Sequence, residues 1–170
     1  ANLEPSTKRI FLGEKDKGAF VFSLGEEERN ALRCSRVSEL GEDTKISLDI
    51  AADAAFGIDY FKRIAPLFSR FNIGQENASS VRYNNLVLGD SNLVIETTRG
   101  KKRNLEIMAS LPVTIEGGGV VVTEDGTDLR GKRVLSYGHG DREHLPIISA
   151  CTESLALNTL KYLNKNGFGA

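Results

Sequence analysis

The apolar positions of residues 8–37 recur at every second residue, in three short runs separated by charged, glycine-containing turns. This alternation predicts half-buried strands, and the turns GEKDKG and GEEER suit an antiparallel meander. The positions predicted to face inward are Ile10, Leu12, Phe20, Phe22, Leu32 and Cys34. A fourth alternating run, TKISLDIA, predicts another strand in which Ile46, Leu48 and Ile50 share one face.

The periodicity changes after Asp53, where apolar residues recur at spacings of three and four. This spacing predicts an amphipathic helix that ends near Phe71. A kink or break is expected at Pro66, because proline removes a backbone donor from the helix. The segment NIGQENASS, residues 72–80, has the small polar composition of a linker.

The chain then repeats the pattern of its first half. The run LGE at residues 12–14 returns as LGD at 88–90, and FVF at 20–22 returns as LVI at 93–95. Keeping that spacing, Leu105 and Ile107 take the inward-facing positions of a third strand. A second set of strands is therefore predicted.

The second copy is longer than the first, and we expect an inserted hairpin near residues 112–131 whose tip is the flexible Gly117–Gly119. A final helix is predicted from about Leu145 to Asn164. The predicted fold is α+β, a duplicated ββββα unit with two antiparallel sheets, each followed by a helix. The predicted segments are a tail at 1–7, repeats at 8–71 and 81–165 joined by the linker 72–80, and a tail at 166–170.

The first half of the chain resembles a PUR repeat. The resemblance rests on KRIFLGEKDKGAFVFSL, with its Lys-Arg start and basic turn, and on KISLDIAADAAFGIDYFKRIAPLF, where a fourth strand runs directly into a helix. The wider relatives are Whirly-type proteins, including plant single-stranded-DNA binders and kinetoplastid mitochondrial RNA-binding proteins. The resemblance implies binding of single-stranded RNA or DNA across the sheet faces. It also implies assembly through the helices into a homo-oligomer or a complex with a homologous subunit.

Single-stranded nucleic acid needs cations along its backbone and flat side chains against its bases. The candidates are Lys8, Arg9, Phe11, Lys15, Lys17, Arg33, Arg36, Arg82, Tyr83, Arg99, Lys101, Lys102 and Arg103. Phe11 alternates out of phase with its neighbours and Tyr83 adjoins Arg82, so both are predicted to be exposed for base stacking. The alternative for the lysine-rich turns is that they are simply solvated and deter edge pairing.

Composition limits these expectations. With 170 residues and 40% hydrophobic side chains, the chain is long enough to bury a core. The formal net charge of −1 gives no global attraction to polyanions, so only local clusters of cations could bind them. No apolar run approaches the ~20 residues that cross a bilayer, and no signal peptide is visible, so we expect a soluble protein. Intracellular, mitochondrial and nuclear locations stay open, and Cys34 and Cys151 are expected to pack in the core.

The segment YGHGDREH offers a different chemistry, because His139, Asp141, Glu143 and His144 suit metal binding or acid–base catalysis. Their spacing matches no common metal motif, and Asp141 also suits a helix start. We therefore predict a protein that is not an enzyme and uses no cofactor. The alternatives are an oligomeric scaffold that binds a protein, and a metal-dependent enzyme at His139–His144. Phe68 and Leu157 are predicted contacts between helices of associated subunits.

Overall fold

The first four strands form an antiparallel sheet. The structure, a computed structural model, describes residues 1–49, 62, 66, 69, 71–74, 79–96, 104–131 and 147–167. In this sheet β1 (Asn2–Glu4), β2 (Arg9–Glu14), β3 (Gly18–Ser23) and β4 (Asn30–Leu32) pair in chain order. The meander predicted for residues 8–37 is therefore present, and β1 extends it by one strand.

The predicted inward face of β2 and β3 is wrong by one residue. Phe11 pairs with Val21 and is 0% exposed, packed among Val87 and Val113 of the next layer. The residues on the opposite face, Ile10, Leu12, Phe20 and Phe22, are only half-buried. Both sets are largely apolar, so alternation alone could not identify which of them faces the core.

Five further strands form a mixed sheet. They are β5 (Lys45–Asp49), β6 (Asn72–Gly74), β7 (Leu93–Glu96), β8 (Val120–Thr123) and β9 (Ile147–Ala150), in the order β6-β5-β7-β9-β8. Strand β5 is parallel to β6 and β7, whereas β9 is antiparallel to β7 and β8. The strand predicted from TKISLDIA is β5, but it belongs to this second sheet and does not complete the first. The α+β class is confirmed, and the duplicated ββββα unit is wrong.

Three helices complete the described elements, α1 (Ser79–Leu88), α2 (Asn104–Glu116) and α3 (Glu153–Lys165). Helices α1 and α2 occupy segments where strands of a second repeat were predicted. In α1 the buried Tyr83, Leu86 and Val87 are spaced by three and four residues, as in a helix, while Leu86 and Leu88 are spaced by two, as in a strand. A window of five residues cannot separate the two periods.

The glycines at 117–119 end helix α2 and are not the tip of a hairpin. The Gly118 N–H donates to the Ile115 carbonyl and the Gly119 N–H to the Thr114 carbonyl, both at 2.9 Å. Gly118 has a φ of 86°, which favours glycine. This is the hydrogen-bond pattern of a helix that stops at a left-handed residue.

The described elements stack in four layers: the first sheet, then α1 with α2, then the second sheet, then α3. Val87 and Val113 pack against the first sheet, Leu111 and Ile115 of α2 contact the second, and α3 covers the second sheet's other face. Because α2 contacts a sheet on both sides, it lacks the one-sided apolar stripe of a surface helix.

Helix α3 does have such a stripe, formed by Leu155, Ala156, Thr159, Leu160 and Leu163. It starts eight residues after the predicted Leu145, because residues 147–150 form β9. No helix among the described residues is both long and apolar enough to cross a membrane. The helix predicted between Asp53 and Phe71 lies mostly outside the described residues.

Candidate functional site

The second sheet presents polar side chains to the helices in the interior. Strand pairing places Ser47, Val94 and Ser149 on one face, together with Glu96 and Ile147. Ser47, Glu96 and Ser149 are all buried on this face, at 3%, 5% and 0% exposure. The opposite face, which α3 covers, is apolar. A buried face with this much polarity needs partners or a function.

Helix α1 adds two large polar side chains to the interior. Arg82 is 2% exposed and Tyr83 is 1% exposed. The Tyr83 hydroxyl lies close enough to Arg82 and Glu96 for both of their charges to affect its pKa. Ser149 also lies beside that hydroxyl. We call Arg82, Tyr83, Glu96 and Ser149 the inner polar cluster.

Burial, followed by the negative charge of Glu96, raises the pKa of Tyr83 well above 10. The phenol is therefore neutral at any physiological pH and available as a hydrogen-bond donor. Glu96 offers carboxylate oxygens as acceptors at the end of β7, and Arg82 offers a guanidinium. The cluster thus combines donors, an acceptor and a positive charge within a few side chains.

The buried hydroxyls of Ser110 and Thr114, both on α2, have no hydrogen-bond partner among the described residues. The Tyr83 hydroxyl, by contrast, lies within hydrogen-bonding reach of Ser149 and Glu96. An unsatisfied buried hydroxyl costs roughly 1–3 kcal/mol. These two hydroxyls leave hydrogen-bonding capacity in this layer that the described fold does not use.

The described residues contain no group of three or more His, Cys, Asp or Glu side chains placed to hold a metal ion. Glu96 is the one carboxylate in the inner polar cluster. The described part of the chain therefore does not fit a metal site. The segment His139–His144 lies outside the described residues, so its role as a metal site stays a prediction.

The structure separates most of the cations predicted to bind nucleic acid. Lys8 and Arg9 lie at the start of β2, and Lys15 and Lys17 lie beyond its other end. Arg9 is ion-paired with Glu4 at 2.8 Å, and Lys17 with Glu14. Arg33 and Arg36 lie beside one cavity. Arg99, Lys101, Lys102 and Arg103 lie outside the described residues.

Both aromatic residues predicted to stack on bases are buried. Phe11 is in the core of the first sheet, and Tyr83 is 1% exposed in α1. The prediction of exposure is wrong for Phe11 because the inward face of β2 was misassigned, and for Tyr83 because its segment is helical. Arg82 is buried for the same reason.

Sequence reasoning missed Glu96 and Ser149. Glu96 is a charged residue directly after the buried run LVI, and Ser149 interrupts the apolar run of β9. A single polar residue within or at the end of a buried strand is a weak signal, and it gains meaning only when strand pairing brings two such residues together.

The fold is similar to that of solved inositol monophosphatase and SuhB structures. Mycobacterium tuberculosis SuhB matches with a TM-score of 0.71 and 14% identity, over 95% of this chain and 56% of that chain. A Thermotoga maritima IMPase matches with a TM-score of 0.67 and 19% identity, over 96% and 54%. A calcium-bound IMPase family protein from Staphylococcus aureus matches with a TM-score of 0.67 and 19% identity, over 97% and 53%.

The chain thus spans about half the length of these solved structures. No family profile matches the sequence, and no curated protein matches it either. The likeness is therefore one of fold.

These matches overturn three predictions. The resemblance to PUR and Whirly proteins is wrong, because nearly the whole chain superimposes on a different fold. Nucleic-acid binding, which was inferred from that resemblance, is wrong with it. The prediction of a protein that is not an enzyme is also wrong, since the matched fold is that of a phosphatase family.

Proposed function

We propose that this chain has the activity of a phosphatase of the inositol monophosphatase type and releases phosphate from a small hydroxylated phosphate monoester. The observation that carries the proposal is the match of 95% of the chain to a SuhB structure at a TM-score of 0.71. Another matched structure is described as bound to inositol monophosphate. The substrate class follows from these neighbours and from the chemistry of the inner polar cluster.

The inner polar cluster suits a substrate that carries hydroxyl and phosphate groups. The Glu96 carboxylate can accept a hydrogen bond from a substrate hydroxyl, and the neutral Tyr83 phenol can donate one to an oxygen. Arg82 adds positive charge near any bound phosphate. In this proposal the described residues orient the substrate.

One matched structure contains calcium. The described residues provide no group that fits a metal ion, so no step of the proposed reaction is assigned to a metal held by them. The proposed orientation of the substrate by Glu96 and Tyr83 does not require a metal ion.

The proposal is tested by measuring phosphate release from inositol monophosphate and other monoesters, with and without added divalent cations. We expect hydrolysis by the wild-type chain. Glu96→Gln should lower kcat/KM by about 10-fold or more, because an uncharged amide is a weaker acceptor for a substrate hydroxyl. Tyr83→Phe should also lower kcat/KM, because it removes the phenolic hydrogen-bond donor.

The matched control is Glu4→Gln. Glu4 is as buried as Glu96, at 6% exposure, but lies in the first sheet with Arg9. Its substitution should change stability and leave kcat/KM of the folded protein unchanged. Absence of phosphate release from every monoester, or equal effects of the two glutamate variants on kcat/KM, would contradict the proposal.

A further inference from the structure

A cavity of about 390 Å³ opens at the edge of the second sheet away from Glu96. Leu93 pairs with Ala150 at this end of β7 and β9, whereas Glu96 pairs with Ile147 at the other end. The two ends are three residues apart along a strand, roughly 10 Å. The cavity is therefore distinct from the inner polar cluster.

Three separate parts of the chain form its walls: residues 33–36 after β4, residues 116–118 at the end of α2, and residues 151–152 at the start of α3. Hydrogen bonds hold these walls together. The Cys34 N–H donates to the Gly117 carbonyl at 2.9 Å, and the Thr152 hydroxyl donates to the Val37 carbonyl at 2.6 Å. The segment after β4 is thus tied both to α2 and to α3.

A further hydrogen bond fixes the middle of that segment. The Asn92 side-chain N–H donates to the Ser35 hydroxyl oxygen at 2.9 Å. The side-chain carbonyl oxygen of Asn92 accepts from the Lys45 backbone N–H, also at 2.9 Å. Arg33 and Arg36 lie on either side of Ser35 in the chain, so the hydrogen bonds of Asn92 hold the backbone of both arginines against the second sheet. The fold therefore fixes where these two residues stand beside the cavity.

The charge on the cavity wall is positive. Arg33 and Arg36 are both exposed, and neither has an ion-pair partner among the described residues. Glu116 is the one carboxylate on the wall, and it already accepts a hydrogen bond from the Asp16 N–H at 3.1 Å. Two guanidiniums and one carboxylate leave a net charge of one positive.

This pair differs from other exposed or half-buried arginines in the described chain. Arg9 pairs with Glu4, Arg29 with Glu14, and Arg130 with both Asp128 and Glu153. Arginines without such partners keep their five-donor guanidinium forks available for an anion.

Apart from Glu116, the residues on the cavity wall carry no negative charge that would repel an anion. Burial raises the pKa of Cys34 to about 12, so its thiol is uncharged at physiological pH. The amino-terminal end of α3, with Thr152 as its cap, also faces the cavity, and the dipole of that helix favours negative charge there.

We infer that this cavity binds inorganic phosphate or the phosphate group of a small ester, with Arg33 and Arg36 as its ligands. Guanidinium groups bind phosphate oxygens through paired, charge-assisted hydrogen bonds. The volume falls in the range of small-molecule sites and exceeds what a bare phosphate fills, so a small organic group can accompany the phosphate. The inference goes beyond the proposed phosphatase activity and does not depend on it.

The test is a calorimetric titration of the whole chain with inorganic phosphate at low ionic strength. We expect saturable binding. The double variant Arg33→Ala/Arg36→Ala should bind at least about 10-fold more weakly, because it loses the charge-assisted hydrogen bonds to the anion. Its circular dichroism and melting temperature without phosphate should match those of the wild type, since exposed side chains contribute little to folding.

Two control proteins make the result specific. Arg29→Ala/Lys161→Ala removes the same charge from exposed positions away from the cavity, and it should bind phosphate like the wild type. Glu96→Gln alters the proposed catalytic cluster and should also leave this binding unchanged. Thermal upshift by phosphate should be present in both controls and reduced in the double arginine variant.

Three outcomes would overturn the inference. The first is no saturable binding by the wild type up to about 10 mM phosphate. The second is an equal loss in the two double variants, which would show a general charge effect. The third is loss of binding in Glu96→Gln alone, which would show that the binding depends on the inner polar cluster and not on the two arginines. None of these results decides whether the chain hydrolyses a monoester, because hydrolysis is measured separately.

Discussion

At Gly13 the first sheet and helix α2 approach so closely that no side chain fits between them. A Cβ atom built on Gly13 would lie 2.4 Å from the carbonyl carbon and oxygen of Pro112 and 2.6 Å from the nitrogen of Val113. These are backbone atoms, so they cannot move aside as the end of a flexible side chain would. The glycine of the run LGE is therefore required by the spacing of two layers.

Gly13→Ala should lower the free energy of unfolding by about 2–3 kcal/mol or more, because the layers must separate to admit a methyl group. Gly41→Ala is the matched control, since nothing lies within 4 Å of its Cβ position and its backbone is not left-handed. That variant should be neutral or stabilised by up to about 1 kcal/mol. Urea denaturation measures both, and equal stabilities of the two variants would contradict the packing described for β2 and α2.

The partly buried thiol of Cys34 lowers the stability of the folded protein as the pH rises above 9. Burial, and then the nearby Cys151, raise its pKa from 9.0 to about 12. Below pH 9 the thiol is protonated in both folded and unfolded chains, so it adds no pH dependence. Between pH 9 and about 12 only the unfolded chain loses the proton, so unfolding becomes easier by at most about 1.4 kcal/mol per pH unit.

Cys34→Ala should therefore flatten the loss of stability between pH 9 and pH 10.5, when denaturation midpoints are compared with those of the wild type. Ionisation of Tyr83 in the unfolded chain also lowers stability from about pH 10 upward, but it does so in both proteins and cancels in the comparison. A further check is alkylation at pH 8, which should be slow at Cys34 because little thiolate is present. Rapid alkylation of the folded chain at that position would contradict the raised pKa.

At the scale of elements, the strands of the first sheet were predictable and helices α1 and α2 were not. Strands β2 and β3 have long alternations that a helix cannot satisfy, whereas the segment around Tyr83 and Leu86 satisfies both periods. Helix α2 lies between two sheets, so burial on both sides removes the pattern that identifies a surface helix. Strand β5 was found, but its pairing with β6 and β7 involves distant parts of the chain that local patterns do not encode.

The candidate site was predictable only in part, for a related reason. Arg82 and Tyr83 were selected from the sequence, but for an exposed role that their burial excludes. Glu96 and Ser149 acquire meaning through the pairing of β7 with β9. Arg33 and Arg36 were selected as cations, and the fold shows that they flank one cavity.

The orientation of β2 and β3 gives a direct test at this scale. Phe11→Ala should cost about 3–5 kcal/mol, the usual effect of truncating a fully buried aromatic residue. Phe20→Ala, on the outward face, should cost clearly less, because its side chain is already partly solvated. Thermal or urea unfolding of the two variants distinguishes the faces, and a larger loss at Phe20 would restore the opposite orientation.

At the scale of the whole molecule, the outward face of the first sheet is apolar. The side chains on it are Leu3, Ile10, Leu12, Phe20, Phe22 and Ala31. They are half-buried or exposed, and Leu3 is 49% exposed. Sheets in water usually carry polar residues on their solvated face, so a face of this composition is suited to a contact with another surface.

Two surfaces are therefore candidates for the contact between subunits of the predicted oligomer. Helix α3 exposes Leu157, at 46%, which is the predicted helix contact, whereas Phe68 lies outside the described residues. The outward sheet face is larger and continuous across four strands. If the chain associates, we expect the sheet face to contribute more.

The experiment compares Phe20→Ser/Phe22→Ser with Leu157→Ser by light scattering over a range of protein concentrations. The wild type should show a mass that rises with concentration, because apolar area removed from water stabilises contacts by about 25 cal/mol per Å². The sheet variant should remain monomeric while folded, as judged by circular dichroism, and Leu157→Ser should associate like the wild type. If Leu157→Ser alone prevents association, the helix contact is correct; a wild-type chain that stays monomeric at every concentration would exclude both surfaces as self-contacts.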